Sequence, residues 1–207
     1  IMGIASGVRR GEIAPVFCGS AQDLSAVDQL LNGLIWLAPW GESLAGEDGV
    51  DPNGNPVELA VNDNAQTAAI VFKTIVDPFV GKLLYFKVVS GKITPDMTLM
   101  NMRTGAMEKI GKLYTVRGKK QEETACVPAG DIGAVAKLAN TGTGDTLCAP
   151  SRPVVLPGIE FDEPCLSMAV HTVKKGDEEK VSYGLSRLME EDPTISFRTD
   201  PETKESI

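Results

Sequence analysis

Phe72-Lys73-Thr74-Ile75-Val76-Asp77-Pro78-Phe79-Val80-Gly81-Lys82-Leu83 continues directly into Leu84-Tyr85-Phe86-Lys87-Val88-Val89-Ser90-Gly91. Residues 69–73 and 82–89 are rich in β-branched and aromatic side chains, which suit a pleated, half-buried surface. Gly81 stands where a strand must restart, and Ser90-Gly91 supplies the next turn. Outward from this pair the chain keeps the same grain. Pro95-Asp96 breaks it, and residues 98–102 and 106–110 flank Arg103-Thr104-Gly105 as a hairpin. Residues 131–138 read as another strand, entered at Gly130-Asp131 and followed by Thr141-Gly142-Thr143-Gly144-Asp145. Short strands punctuated by glycine predict a small closed β-barrel over 65–155 and a mainly β chain.

Ahead of the barrel, Ala14-Pro15-Val16-Phe17-Cys18 reads as a short buried strand that stops at Gly19-Ser20. Val27, Leu30, Leu31, Leu34 and Ile35 then share one helical face. Ser25 is the expected cap, Asp28 suits the first turn, and Pro39 ends the helix. A strand followed by a helix closes an α/β sheet, which places residues 1–44 in an α/β piece. Residues 45–64 are expected to be a linker or exposed loop. From 41 to 64 there are six acids among scattered Gly, Pro and Asn, with little to bury.

Beyond the barrel, Pro150, Pro153, Pro157 and Pro164 make a stiff connection. Residues 156–207 then read as strand (165–173), helix (177–191, with Val181, Leu185 and Leu188 on one stripe) and strand (194–199). Three units in space are therefore expected. The outer two bury their apolar faces poorly alone, so they should lean on the barrel or on another copy of the chain.

The bulk properties exclude several classes. Hydrophobic residues are 43% and charged residues 23%, as in ordinary globular proteins. No apolar run approaches the roughly 18 residues a membrane span needs, and no signal peptide is visible, so a cytoplasmic location is expected. Net charge is −8, which argues against coating nucleic acid by bulk electrostatics. A local exception lies between Arg103 and Lys120, where six cations face one anion, Glu108. Such a run is commonly a solvated hairpin face. The four cysteines, Cys18, Cys126, Cys148 and Cys165, form no C-x-x-C pair, and His171 is the one histidine. Free thiols in a reducing compartment are expected, and no metal site.

Three stretches together resemble the elongation factor G family of translational GTPases. Pro15-Val16-Phe17-Cys18-Gly19-Ser20-Ala21 and the helix after it resemble the fifth guanine-nucleotide motif. The segment Phe72 to Leu83, with Gly130-Asp131-Ile132-Gly133-Ala134-Val135 and Thr143-Gly144-Asp145-Thr146-Leu147-Cys148, resembles the family's barrel. Leu185-Ser186-Arg187-Leu188-Met189-Glu190-Glu191-Asp192-Pro193 is similar to the helix end of its third domain. The resemblance implies the tail of a GTP-binding domain, a translation-factor barrel and the start of a ferredoxin-like α+β domain. It also implies GTP and Mg2+ in the parent protein and the ribosome as partner, through small-subunit rRNA and a small-subunit protein. Ser20 and Ala21 match the guanine-contact motif. Lys109, Lys112, Arg117, Lys119 and Lys120 are the candidates for RNA phosphate contact, each weak and salt-sensitive.

Catalytic residues are expected to be absent from this stretch, as are bound cofactors. The patterns G-x-x-x-x-G-K-[ST] and Asn-Lys-x-Asp do not occur, so the phosphate cradle and guanine reader of a GTPase are missing. No nucleophile, base and orienting group can be assembled from one histidine and scattered thiols. Glu190-Glu191-Asp192 reads as a solvated helix end, and Trp36 and Trp40 as interface packing. The acidic balance and the 41–64 loop leave a paralogous elongation factor G or a ribosomal protection protein open. A stand-alone β-barrel binding module is the alternative from another class.

Overall fold

The computed structural model describes residues 2–39, 46–77, 81–118, 120–174, 176–198 and 200–201. The chain divides into two compact units, one up to Gly46 and one from Glu47 onward. The Pro78-Phe79-Val80 part of the barrel motif, Trp40 and Lys119 lie outside the described residues.

The second unit is built on β3 (Ala68–Asp77) and β4 (Gly81–Ser90), the two strands expected from the central stretch. They pair antiparallel from Ala68↔Ser90 to Asp77↔Gly81, with a bulge between Val71 and Lys73. Around them lie β5 (Thr98–Asn101), β6 (Met107–Lys109), β7 (Leu113–Arg117), β8 (Lys120–Thr124), β9 (Ile132–Ala136) and β10 (Thr146–Cys148). The ladder runs β6-β5-β10-β3-β4-β9-β7-β8, and each strand pair is antiparallel. The sheet curls because both of its ends feed one core. Leu99 and Ile110 from the β5–β6 side meet Leu113 and Val135 from the β7–β9 side, around Val71, Leu84, Phe86 and Val88. All of these are fully buried. At about 1.5–3 kcal/mol per fully buried large aliphatic or aromatic side chain, this cluster dominates the unit's stability.

Gly91 ends β4 in the left-handed region, at φ 69°. A Cβ there would sit 2.7 Å from Thr67 Cα and 2.8 Å from Ala65 O, so the turn needs glycine both for its dihedral and for the space.

The stretch expected to be a linker is more ordered than composition suggested. β1 (Glu47–Val50) and β2 (Pro56–Leu59) form a hairpin, with Asp51 closing its tip by accepting from the Asn53 and Asn55 amides at 2.8 and 2.9 Å. Leu59 is 1% exposed and packs with Ala68, Val89, Cys148, Val154 and Leu156 in a second core cluster. Val50 and Val155 exchange backbone hydrogen bonds of 2.9 and 2.8 Å. The reason is tertiary: a few apolar residues among many acids suffice once a neighbouring surface exists to receive them.

Of the strand-helix-strand expected after the barrel, the helix forms. α3 spans Glu178–Glu191, with Glu178 and Glu179 in its first turn. Among the described residues no strand forms at 165–173 or 194–199. Instead Leu166, Met168, Val170, Leu185, Ile195 and Phe197 line a hollow of about 580 Å³. Two short strands without a third neighbour and a covered face are marginal, so residues with strand character remain irregular here. α3 lies in the same compact unit as the barrel.

The first unit holds α1 (Met2–Arg9) and α2 (Val27–Leu37). α2 begins where periodicity placed it, but its cap differs. Ala26, at φ 63°, occupies the cap position, and no side chain caps the helix. Residues 13–20 are not a strand, and Val16 is 87% exposed. A strand needs a paired edge, and among the described residues of this unit there is no strand to pair with. The apolar face of α2 is likewise open, with Leu31 55% and Ile35 71% exposed.

Candidate functional site

Ser20 and Ala21 sit on a tight loop between the extended 13–20 segment and α2. The Ser20 amide donates to Ser25 O at 3.0 Å, and Leu24 and Ala26 take left-handed dihedrals to close the turn. Hydrogen bonds from the Ser20 side chain, then from its own backbone amide and from Ser25, hold the Asp23 carboxyl below its usual range. Phe17, Cys18, Gly19, Ser20, Ala21 and Ala26 line a hollow of about 270 Å³. Among the described residues its lining carries neither a cation nor a carboxylate.

The basic run is placed differently from its sequence reading. Lys109 pairs with Asp96 at 2.9 Å, Lys112 with Glu123 at 2.8 Å and Arg117 with Glu122 at 3.9 Å. The bond to Glu123 raises the Lys112 ammonium above its ordinary value. Lys120 is exposed at the start of β8, directly across from Arg117. These cations share one hairpin region, but acids from β8 and from the 95–96 turn partly neutralise them. The missing signal was register: Glu122 and Glu123 lie just past the basic window, and the β7–β8 pairing folds them back beside it.

Arg103 leaves the basic group altogether and grips Asp145 as a fork, with Nη2 to Oδ2 at 2.8 Å. Asn101 Nδ2 and the Gly142 amide each donate to the same carboxylate at 2.8 Å. Burial pushes the Asp145 carboxyl up, but these donors outweigh it and hold the group below its usual range. Beside it the buried Glu108 accepts from the Asn140 amide at 2.7 Å and from Thr141 Oγ1 at 3.1 Å. This network ties the loop before β10 to the β5–β6 hairpin. In sequence, Gly144-Asp145 reads only as a turn, because its partners lie about forty positions upstream in the chain.

His171 is exposed in an irregular segment. In the Glu190-Glu191-Asp192 run, Asp192 accepts from the Thr194 amide and hydroxyl at 2.9 and 2.6 Å, which lowers its pKa. No group of three or more His, Cys, Asp or Glu that could hold a metal occurs among the described residues. Trp36 is 57% exposed. Cys18 and Cys165 are exposed free thiols, and burial raises the pKa of Cys148. No helix is long and apolar enough to cross a membrane among the described residues.

Comparison with known proteins gives two family matches in succession along the chain. The family model for elongation factor G domain 2 matches residues 66–159, and that for Elongation Factor G, domain III, matches 161–207. Proteins called elongation factor G from two strains of Ureaplasma parvum serovar 3 are 39% identical over 204 residues, 99% of this chain. The chain spans 30% of the length of these relatives. A crystal structure from Thermus thermophilus superposes with a TM-score of 0.78 at 26% identity, covering 99% of this chain and 28% of that one.

Proposed function

Because the chain belongs to the elongation factor G family, we propose that it is the ribosome-contacting and relay part of a ribosome-dependent GTPase that promotes tRNA-mRNA translocation in the cytoplasm. The observation that carries this reading is the unbroken succession of a domain 2 match and a domain III match on one folded unit. The barrel faces small-subunit rRNA and the α3 region a small-subunit protein, while GTP and Mg2+ bind the parent protein through motifs that these 207 residues do not contain. Ser20 and Ala21 supply one wall of the guanine pocket in that parent. Their cation-free hollow fits a base and not a phosphate.

RNA contact falls to Lys120, Lys112, Lys109 and Arg117, with Lys119 beside them in sequence. Their ion pairs are exposed, and such pairs exchange readily for phosphate oxygens because neither arrangement is strongly favoured in water.

Fluorescent GDP titration and ribosome co-sedimentation test the reading together. The 207-residue chain is expected to leave GDP unbound, the complete parent to bind it, and the chain to pellet with small subunits in a salt-sensitive manner. Tight GDP binding by the chain alone, or no association with small subunits at low salt, would overturn it.

A further inference from the structure

We propose that Arg187 and Glu191 form a releasable latch that holds α3 to the barrel by the free edge of β3 at Val76. In an antiparallel ladder, alternate residues turn both backbone groups away from their partner strand. Val76, opposite Lys82, is such a residue. Its neighbour on the other side would be β10, but β10 covers β3 only from Ala68 to Ile70. Both groups of Val76 are instead taken by one helix. The Val76 amide donates to Glu191 Oε1 at 2.6 Å, and Arg187 Nη2 donates to Val76 O at 2.6 Å. Positions 187 and 191 are one turn apart on the same helical face, so a carboxylate and a guanidinium replace the two hydrogen bonds that a strand would make. Tyr183, a further turn back, lies beneath the Arg187 guanidinium, 5.8 Å from its ring centroid, and helps to orient it.

The attachment to β3 is polar, and of the apolar side chains of α3 only Val181 and Leu185 are half-buried. α3 has no buried residue, and Tyr183, Leu188 and Met189 remain exposed. A helix seated by core packing cannot leave without opening a cavity. One seated by two side-chain bonds can exchange them for water at little cost. The strand edge would then be free for another donor and acceptor pair. The latch therefore gives the barrel and the segment after it two available arrangements. It stands on this geometry alone and is testable without ribosomes, so its failure would leave the translational reading untouched.

The test is amide exchange and residual dipolar couplings measured by NMR on the 207-residue chain. Glu191→Ala is expected to speed exchange at the Val76 amide by about tenfold, with the Val71 and Val88 amides unchanged. Glu191→Gln keeps an acceptor oxygen and should retain protection at Val76. In the pair Arg187→Ala with Glu191→Ala, couplings from α3 should no longer fit the alignment tensor of the barrel. Unchanged Val76 exchange in Glu191→Ala would overturn the latch, as would acceleration throughout the barrel. So would an α3 that keeps the barrel's tensor in the double variant.

Discussion

Asp145 is 3% exposed and receives four hydrogen bonds, two of them from Arg103. Arg103 itself is 63% exposed, so the ion pair is screened and the greater loss on removing the carboxylate is the orphaning of the Gly142 amide, since Asn101 still donates to Asn140 O and Thr141 Oγ1. Asp145→Ala is expected to cost about 3 kcal/mol in urea unfolding, and Asp145→Asn less, because the amide oxygen still accepts. The pH dependence has a fixed sign. The folded carboxyl titrates below its ordinary value, near 3.9 when unperturbed. Its stabilisation is thus present above that value and fades as pH falls through the lower folded-state one. A wild-type acid limb that Asp145→Asn leaves unaltered would contradict this. Glycines give a second residue-scale contrast. Gly91 and Gly105 both have φ 69°, but a Cβ meets Thr67 and Ala65 only at Gly91. Gly105→Ala should cost about 1 kcal/mol for the dihedral alone, and Gly91→Ala clearly more, read as a difference in urea midpoint.

At the scale of elements, the β1–β2 hairpin depends on Leu59 for its attachment. Leu59→Ala removes a fully buried side chain from the second cluster and should destabilise the unit by about 2–5 kcal/mol in equilibrium unfolding. A value near zero would show the hairpin to be an appendage. The β7–β8 hairpin makes the opposite prediction. Its ion pairs are exposed, so Glu122→Lys with Glu123→Lys should leave the melting temperature nearly unchanged. The same change unmasks Lys112 and Arg117, and under the proposed RNA contact it should strengthen small-subunit binding and steepen its salt dependence. Weaker binding in the doubly substituted chain would remove this hairpin from the RNA-facing surface.

For the whole molecule, the exposed apolar side chains set the expectation. Leu31, Ile35, Leu166, Met168 and Val173 are all more than half exposed, and an isolated soluble unit rarely leaves so many open. The 207-residue chain should self-associate as concentration rises, by sedimentation velocity, and Leu31→Ser with Ile35→Ser should reduce this. A chain that stays monomeric throughout would show these faces to be tolerated in water.

The barrel was legible because its information is local. Strand runs around Gly81 and Gly91, the Arg103-Thr104-Gly105 turn and the helical period of α2 and α3 each lie within a few residues of one another. The order of motifs, from Ser20-Ala21 through Asp145 to the end of α3, marked the family for the same reason. What pairs with what was not local. Glu122 and Glu123 neutralise the basic run through cross-strand register, Arg103 abandons it for Asp145, and Leu59 finds a core that a linker composition hides. Glu191 reads as part of a solvated helix end, and Arg187 only as part of the likeness to the third domain, until the fold brings Val76 to them. Composition and periodicity determine which face of an element is apolar and where it turns. Only the tertiary structure decides which surface meets that face, because burial and hydrogen-bond satisfaction are settled between segments distant in sequence.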